Sequence, residues 1–198
     1  MKRYEFNEKE LTPDVKELAL LEVRNVCSQC KNCGLHKTRT TTVFSDGVGY
    51  APVMLIGEAP GADEDASGVP FVGRAGKYLT QLLEEAGISR ETDLYICNTV
   101  KCRPPENREP LPEEKEACSA YLEAQISIVQ PKLIVLCGAT AASSFLGKGL
   151  KISQIRGNKY MLFDKIPATV IFHPSYLLRN HSEEVNLSLI HISEPTRP

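Results

Sequence analysis

Seven cysteines in 198 residues are the first group whose types and spacing can do chemistry. Cys30-x-x-Cys33 can chelate an ion from a single turn, and Cys27 offers a second, overlapping C-x-x-C. Cys102 and Cys118 lie on either side of a proline-rich charged stretch, Arg103 to Pro112. Four thiolates suit either zinc or an iron–sulfur cluster, and spacing does not separate the two. Buried, unreactive thiols are the competing reading. Cys97 and Cys137 end apolar runs and read as core residues. The second group is Gly57-Glu58-Ala59-Pro60-Gly61-Ala62-Asp63-Glu64-Asp65. Its glycines let backbone approach a ligand closely, and its N–H groups can receive an anion. The carboxylates argue against a phosphate cradle, and no Lys-Ser/Thr follows as a P-loop requires; a solvated acidic turn is the bland alternative. The third group is His173, placed directly after an apolar run and before Pro174-Ser175-Tyr176-Leu177-Leu178-Arg179-Asn180. A lone histidine is more often structural than catalytic, and the apolar residues after it can start a helix that packs inward.

The elements that must position these groups are legible in outline. Thr12-Pro13-Asp14 starts a helix carrying Val15, Leu18 and Leu21 near helical spacing. Val53 to Ile56, Leu94 to Cys97, Leu133 to Leu136 and Ala168 to Phe172 are short apolar runs that read as buried strands. Between them, Leu79, Leu82, Leu83 and Ala86 mark a helix closed by Gly87, and residues 113–129 a second amphipathic helix. Strands alternating with helices predict an α/β fold around a largely parallel sheet. In such sheets sites gather at the carboxyl ends of strands, which selects 57–65, 98–103 and 173–180.

Composition narrows the classes. At 42% hydrophobic with 13 Gly and 13 Pro, the chain is neither disordered nor collagenous, and its length suits one globular domain. No apolar run approaches the ~20 residues of a membrane span. The first residues, MKRYEFNEKEL, lack the apolar segment of a secretory signal, so a cytoplasmic location with reduced cysteines is expected. A net charge of −2 neither favours nor excludes nucleic acid, because only local patches matter. Residues 187–198 show no periodicity and read like the translation of a sequencing adaptor. The expectation is one native domain over 1–186, and His191 and Glu194 carry no functional weight.

Together the motifs resemble the family-4 (thermophile-type, iron–sulfur) uracil-DNA glycosylases. The matching pieces are CKNCGL at 30–35, GEAPGADED at 57–65, GVPFVGRAG at 68–76, ICNTVKCRPPENREPLP at 96–112, LCGATAA at 136–142 and HPSYLLRN at 173–180. The resemblance implies a three-layer α/β/α sandwich around a central, mainly parallel four-stranded sheet. It implies a structural 4Fe–4S cluster on Cys30, Cys33, Cys102 and Cys118, with Cys27 spare; Gly34-Leu35 after Cys33 favours that register. The implied reaction is hydrolysis of the bond between uracil and deoxyribose in a flipped nucleotide, leaving an abasic site. Phe71 would stack on the base, Asn98 would read its edge, and Gly57 and Gly61 would line the pocket. His173 would donate to the uracil O2, and Glu58 would position water. Asp63, Glu64 and Asp65 are alternatives, one of which would exclude the methyl of thymine. The best-known uracil glycosylases carry an Asp where this chain has Ala59. Leu177, with Tyr176, Leu178 and Arg179, would wedge the gap in the duplex, core packing being the other reading for Leu178. Lys148, Lys151, Arg156, Lys159, Lys101, Arg103, Arg108 and Arg179 would meet phosphates. The expected partner is uracil-containing DNA, single- or double-stranded, bound by a monomer away from any membrane; a repair or replication partner such as a sliding clamp stays open. A near relative forms a covalent adduct through a histidine in an inserted loop. This chain has Cys102-Arg-Pro-Pro-Glu-Asn-Arg there, which favours hydrolytic release. The rival readings are a cluster-containing DNA-binding or redox module, and a same-fold glycosylase preferring another deaminated base such as hypoxanthine.

Overall fold

The computed structural model describes residues 10–180. The proposed adaptor-derived tail lies outside them. Six strands form one sheet: β1 Asp46–Gly47, β2 Val53–Gly57, β3 Leu94–Asn98, β4 Leu133–Cys137, β5 Lys159–Leu162 and β6 Ile166–Ile171, in the order β1-β3-β2-β4-β6-β5. The inner four, β3-β2-β4-β6, are parallel, and they are the four strands read from the sequence. The expected strand count is extended by two antiparallel edges, β1 on β3 and β5 on β6. β1 is only Asp-Gly, with no apolar run to mark it, and β5 is a short run, Tyr160-Met161-Leu162 behind Lys159, that the sequence reading did not take as a strand.

Seven α-helices accompany the sheet among the described residues: α1 Pro13–Ser28, α2 Ala62–Ser67, α3 Arg74–Glu85, α4 Pro112–Val129, α5 Ala139–Leu146, α6 Ile152–Ile155 and α7 Pro174–Arg179. Both faces of the sheet are covered, and successive strand residues feed different cores. Met54, Ile56, Tyr95, Ile134 and Leu136 pack with Leu20 of α1 and Leu122, Ile126 and Val129 of α4. Leu55, Leu94, Ile96, Val135 and Ile171 pack with Leu79, Leu82 and Leu83 of α3 and Leu177 of α7. Burial on both faces is why these strands are continuous apolar runs rather than alternating ones. It also gives the three-layer arrangement that the resemblance implied.

Helix α1 turns a different face inward than its apolar spacing implies. Val15, Leu18 and Leu21 are exposed, while Lys16, Leu20 and Cys27 are buried. Polar contacts set this rotation: Lys16 Nζ donates to Val129 O at 2.8 Å, and Glu17 Oε1 accepts from Gly49 N at 2.6 Å. Among the described residues no helix is long and apolar enough to cross a membrane.

Candidate active site

The carboxyl ends of β2, β3 and β6 bring the predicted pocket residues together. Gly57 and Asn98 end adjacent parallel strands and face each other in register. Beyond them the pairing continues through Thr99 N to Gly57 O at 2.9 Å, and Thr99 Oγ1 to Glu58 O at 2.6 Å. A Cβ built on Gly57 would collide with Asn98 Oδ1 and stand 2.5 Å from Phe71 Cζ. Glycine there is what allows the buried Asn98 and the Phe71 ring to converge on one spot. The Phe71 ring centroid is 6.0 Å from that of His173. Gly138, at the head of α5, leaves room for His173 as well: a Cβ there would lie 3.1 Å from its Cβ.

His173 caps α7. Its Nδ1 accepts from Ser175 N at 3.2 Å and lies 2.7 Å from Ser175 Oγ. An N–H donor on Nδ1 assigns the ring proton to Nε2, so the neutral imidazole is a donor on its other edge. Burial, and then the positive charge of Arg179, lower the His173 pKa against an opposing pull from Glu64. The neutral form is therefore the one the fold favours.

The acidic loop divides into distinct roles. Burial raises the Glu58 carboxyl pKa, with the nearby Thr140 hydroxyl acting against that rise and Glu109 adding to it. A carboxylate with raised pKa is the stronger base. Glu64 is engaged elsewhere: it accepts from Gly61 N at 3.0 Å, Val72 N at 2.9 Å and Gly73 N at 2.8 Å. It ties the Gly57–Gly61 loop to the segment that carries Phe71. Asp65, 3% exposed, accepts from Thr40 N with both oxygens at 3.0 and 2.9 Å. With their oxygens committed to backbone, Glu64 and Asp65 are poor alternatives to Glu58 for holding water. Gly61 heads α2, so its part in the pocket runs through its N–H bond to Glu64.

Two expectations are corrected. Leu177 is 3% exposed and belongs to the core with Leu79 and Phe172, whereas Tyr176 is 38% exposed and Leu178 half-buried. The i+3/i+4 geometry of α7 turns Leu177 under the helix, and Tyr176 and Arg179 outward. Tyr176 stacks on Phe172 with centroids 4.6 Å apart, and the Arg156 guanidinium lies 4.8 Å from the Phe172 ring. Lys101 is fully buried, its Nζ donating to Asn98 O at 2.6 Å, so it is not a phosphate contact. Arg108 is engaged as well, in a bidentate pair with Glu114 at 2.8 and 2.7 Å. Lys148, Lys151, Lys159 and Arg179 are exposed.

Cys30, Cys33, Cys102 and Cys118 line one small cavity, and Cys27, the cysteine expected to be spare, lines it too. Arg39 Nη1 donates to Cys102 Sγ at 3.1 Å and Lys101 N to Cys118 Sγ at 3.3 Å. Burial pushes the Cys118 thiol up to about 11, with Lys101 pulling against it. Ionising such thiols at neutral pH takes a cation that displaces the proton. Among the described residues no three or more His, Cys, Asp or Glu groups are drawn together around a single-ion position. Cys97 and Cys137 sit in the core as read from their runs.

Sequence reading missed Thr140, whose hydroxyl opposes the rise in the Glu58 pKa, and Arg90. The Arg90 Nη1 donates to Phe71 O at 2.7 Å and Nη2 donates to Pro70 O. Nothing in Ile88-Ser-Arg-Glu-Thr-Asp93 marks that role, because it is made by contacts 19 and 20 residues away in sequence.

This pocket is walled by an aromatic ring, a buried amide and a neutral imidazole at the carboxyl ends of a parallel sheet. Such a site takes a flat, uncharged ring with hydrogen-bonding edges. A family model described as the uracil DNA glycosylase superfamily matches residues 44–192. The type-4 uracil-DNA glycosylase of Thermotoga maritima is 51% identical over 158 residues, covering 79% of this chain and 82% of that protein. That of Archaeoglobus fulgidus is 43% identical over 163 residues, 79% of this chain and 81% of that protein. The type-5 uracil-DNA glycosylase of Thermus thermophilus is similar over a shorter span, 34% over 110 residues, 48% of this chain and 50% of that protein. The chain belongs to the uracil DNA glycosylase superfamily.

Proposed function

We propose that this chain is a monofunctional uracil-DNA glycosylase of the type-4 kind, a hydrolase that removes uracil from DNA and leaves an abasic site for repair. The observation that carries the reading is the convergence of Phe71 and Asn98 on Gly57, with the His173 ring 6.0 Å from that of Phe71. The target nucleotide leaves the stack at a cost of a few kcal/mol, which is smaller for a mismatched or single-stranded uracil. Phe71 covers one face of the base. Asn98 accepts from uracil N3–H and donates to O4; cytosine presents the opposite pattern and leaves the buried amide mispaired. An unpaired buried polar group costs about 1–3 kcal/mol, roughly a tenfold to hundredfold discrimination at the binding step.

As the glycosidic bond stretches, negative charge gathers on the base oxygens and positive charge on the sugar. The His173 Nε2–H donates to O2 where charge exists only in the transition state, which is where a hydrogen bond accelerates the reaction. Its Nδ1 stays occupied by Ser175, so the ring neither rotates nor loses the donor. Glu58 orients the water and offsets the cationic sugar. Exposed Tyr176 and Arg179 face the DNA in place of the buried Leu177, and Lys148, Lys151 and Lys159 supply phosphate contacts whose strength falls with salt.

Cys30, Cys33, Cys102 and Cys118 are the ligands we assign to a 4Fe–4S cluster. The donor set supports it: the thiols of Cys30, Cys33, Cys102 and Cys118 gather with Cys27 on one small cavity, and the Arg39 and Lys101 N–H groups suit anionic sulfurs. When bound, the cluster supplies cross-linking between the N-terminal segment and the 102–118 loop rather than chemistry at the base. Oligonucleotides containing U, T, C or hypoxanthine, single- and double-stranded, test the function once abasic sites are cleaved. Cleavage confined to U is expected. Cleavage confined to hypoxanthine, or DNA binding without cleavage, would overturn the reading.

A further inference from the structure

We infer that Arg90 is a positioning residue for base binding, holding the Phe71 ring in place by gripping the backbone that carries it. This rests on Phe71 being the ring that stacks on the flipped uracil. Phe71 has φ +54°, a left-handed conformation that residues with side chains rarely adopt, so its segment needs an outside hold. Arg90 provides it. Its Nη1 donates to Phe71 O at 2.7 Å and to Thr80 Oγ1 at 3.1 Å, and its Nη2 donates to Pro70 O. The remaining edge, Nε, donates to Asp46 Oδ2 at 2.7 Å, so the fork is fixed from behind by the edge strand β1. The guanidinium is largely buried, at 13% exposure, where such bonds are stronger than in water.

The opposite side of the same segment is held by an anion. Glu64 Oε1 accepts from Val72 N and Gly73 N. Two carbonyls and two N–H groups of four consecutive residues, 70–73, are thus held by side chains of opposite sign. Gly76 completes the fit, since a Cβ there would collide with the Phe71 carbonyl. A planar fork can address two neighbouring carbonyls and a carboxylate at once; a lysine at position 90 cannot reach all three. The consequence is a pocket whose stacking ring is set before the base arrives, so base binding spends no free energy on ordering it.

The test uses the full chain purified without oxygen, with free uracil as inhibitor of excision. R90M is expected to weaken inhibition by uracil about tenfold and to lower excision kcat/KM by a similar factor, while affinity for undamaged duplex stays unchanged. R90K should recover part of the loss. In an F71A background, R90M should add less than a twofold change, because the ring through which Arg90 acts is gone. If R90M weakens uracil inhibition equally with and without Phe71, or leaves it within twofold in the folded protein, the inference is overturned. If F71A itself leaves uracil inhibition unchanged, the stacking reading fails first and takes this one with it. Should R90M not accumulate as folded protein, D46N, which frees only Nε, carries the same cycle with an expected threefold effect that must likewise vanish in F71A.

Discussion

Gly57→Ala is the sharpest probe of the pocket. The added Cβ would collide with Asn98 Oδ1 and stand 2.5 Å from Phe71 Cζ and 2.9 Å from Phe71 Cε2. Carbon atoms pack at about 3.5–4.0 Å, so the ring has to retreat by roughly 1 Å. A misplacement of that size costs about a hundredfold in rate, even where the group is not itself reacting. Overpacking of a tight site costs about 1–3 kcal/mol of stability. Gly87→Ala is the matched control: Gly87 has φ +71° with nothing within 4 Å of a Cβ, so alanine there brings strain of roughly 1–2 kcal/mol with no steric effect at the pocket. Single-turnover excision of a uracil oligonucleotide, read beside the melting temperature of each variant, separates the two. We expect Gly57→Ala to lose about two orders of magnitude and Gly87→Ala to lose stability alone. Excision by folded Gly57→Ala within a few-fold of wild type would refute the convergence of Phe71 and Asn98 on Gly57 as the base-binding floor.

Three further outcomes follow from particular contacts. His173 is half-buried in its neutral form with a lowered pKa, so the unfolded chain binds the extra proton first. Stability should therefore fall as pH drops below about 6.5 toward the lower folded value, and melting curves of His173→Gln should lose that part of the slope. Leu177→Ala should cost about 2–5 kcal/mol as a core truncation. Tyr176→Ala, which loses its stack on Phe172, should lower the melting temperature less than Leu177→Ala does while weakening excision from duplex, and the reverse pattern would restore Leu177 as the wedge. Cys118→Ser should lose bound iron and visible absorbance while Cys27→Ser keeps both; the opposite result would exchange Cys27 into the ligand set.

The parallel strands were readable because burial on both faces writes itself as unbroken apolar runs, Val53 to Ile56 and Leu133 to Leu136. Strand ends followed from the glycine, asparagine and histidine that interrupt those runs, which is why Gly57, Asn98 and His173 could be named before any fold was seen. The cysteines were likewise visible, since Cys30 and Cys33 are neighbours on one turn. Periodicity gives the spacing of a face but not its neighbour, so α1 is rotated away from Val15 and Leu18 by Lys16 and Glu17 bonding to distant backbone. The same limit hid Leu177 beneath Tyr176, buried Lys101 under Asn98, and turned Glu64 and Asp65 from candidate bases into backbone acceptors. Sequence by itself determined which residue types stand at the ends of the strands, because strand and turn chemistry is local. Only the tertiary structure decided which of them are free to meet a base and which are spent holding the pocket, because that depends on partners such as Arg90 and Phe71, 19 residues apart and joined by a single guanidinium.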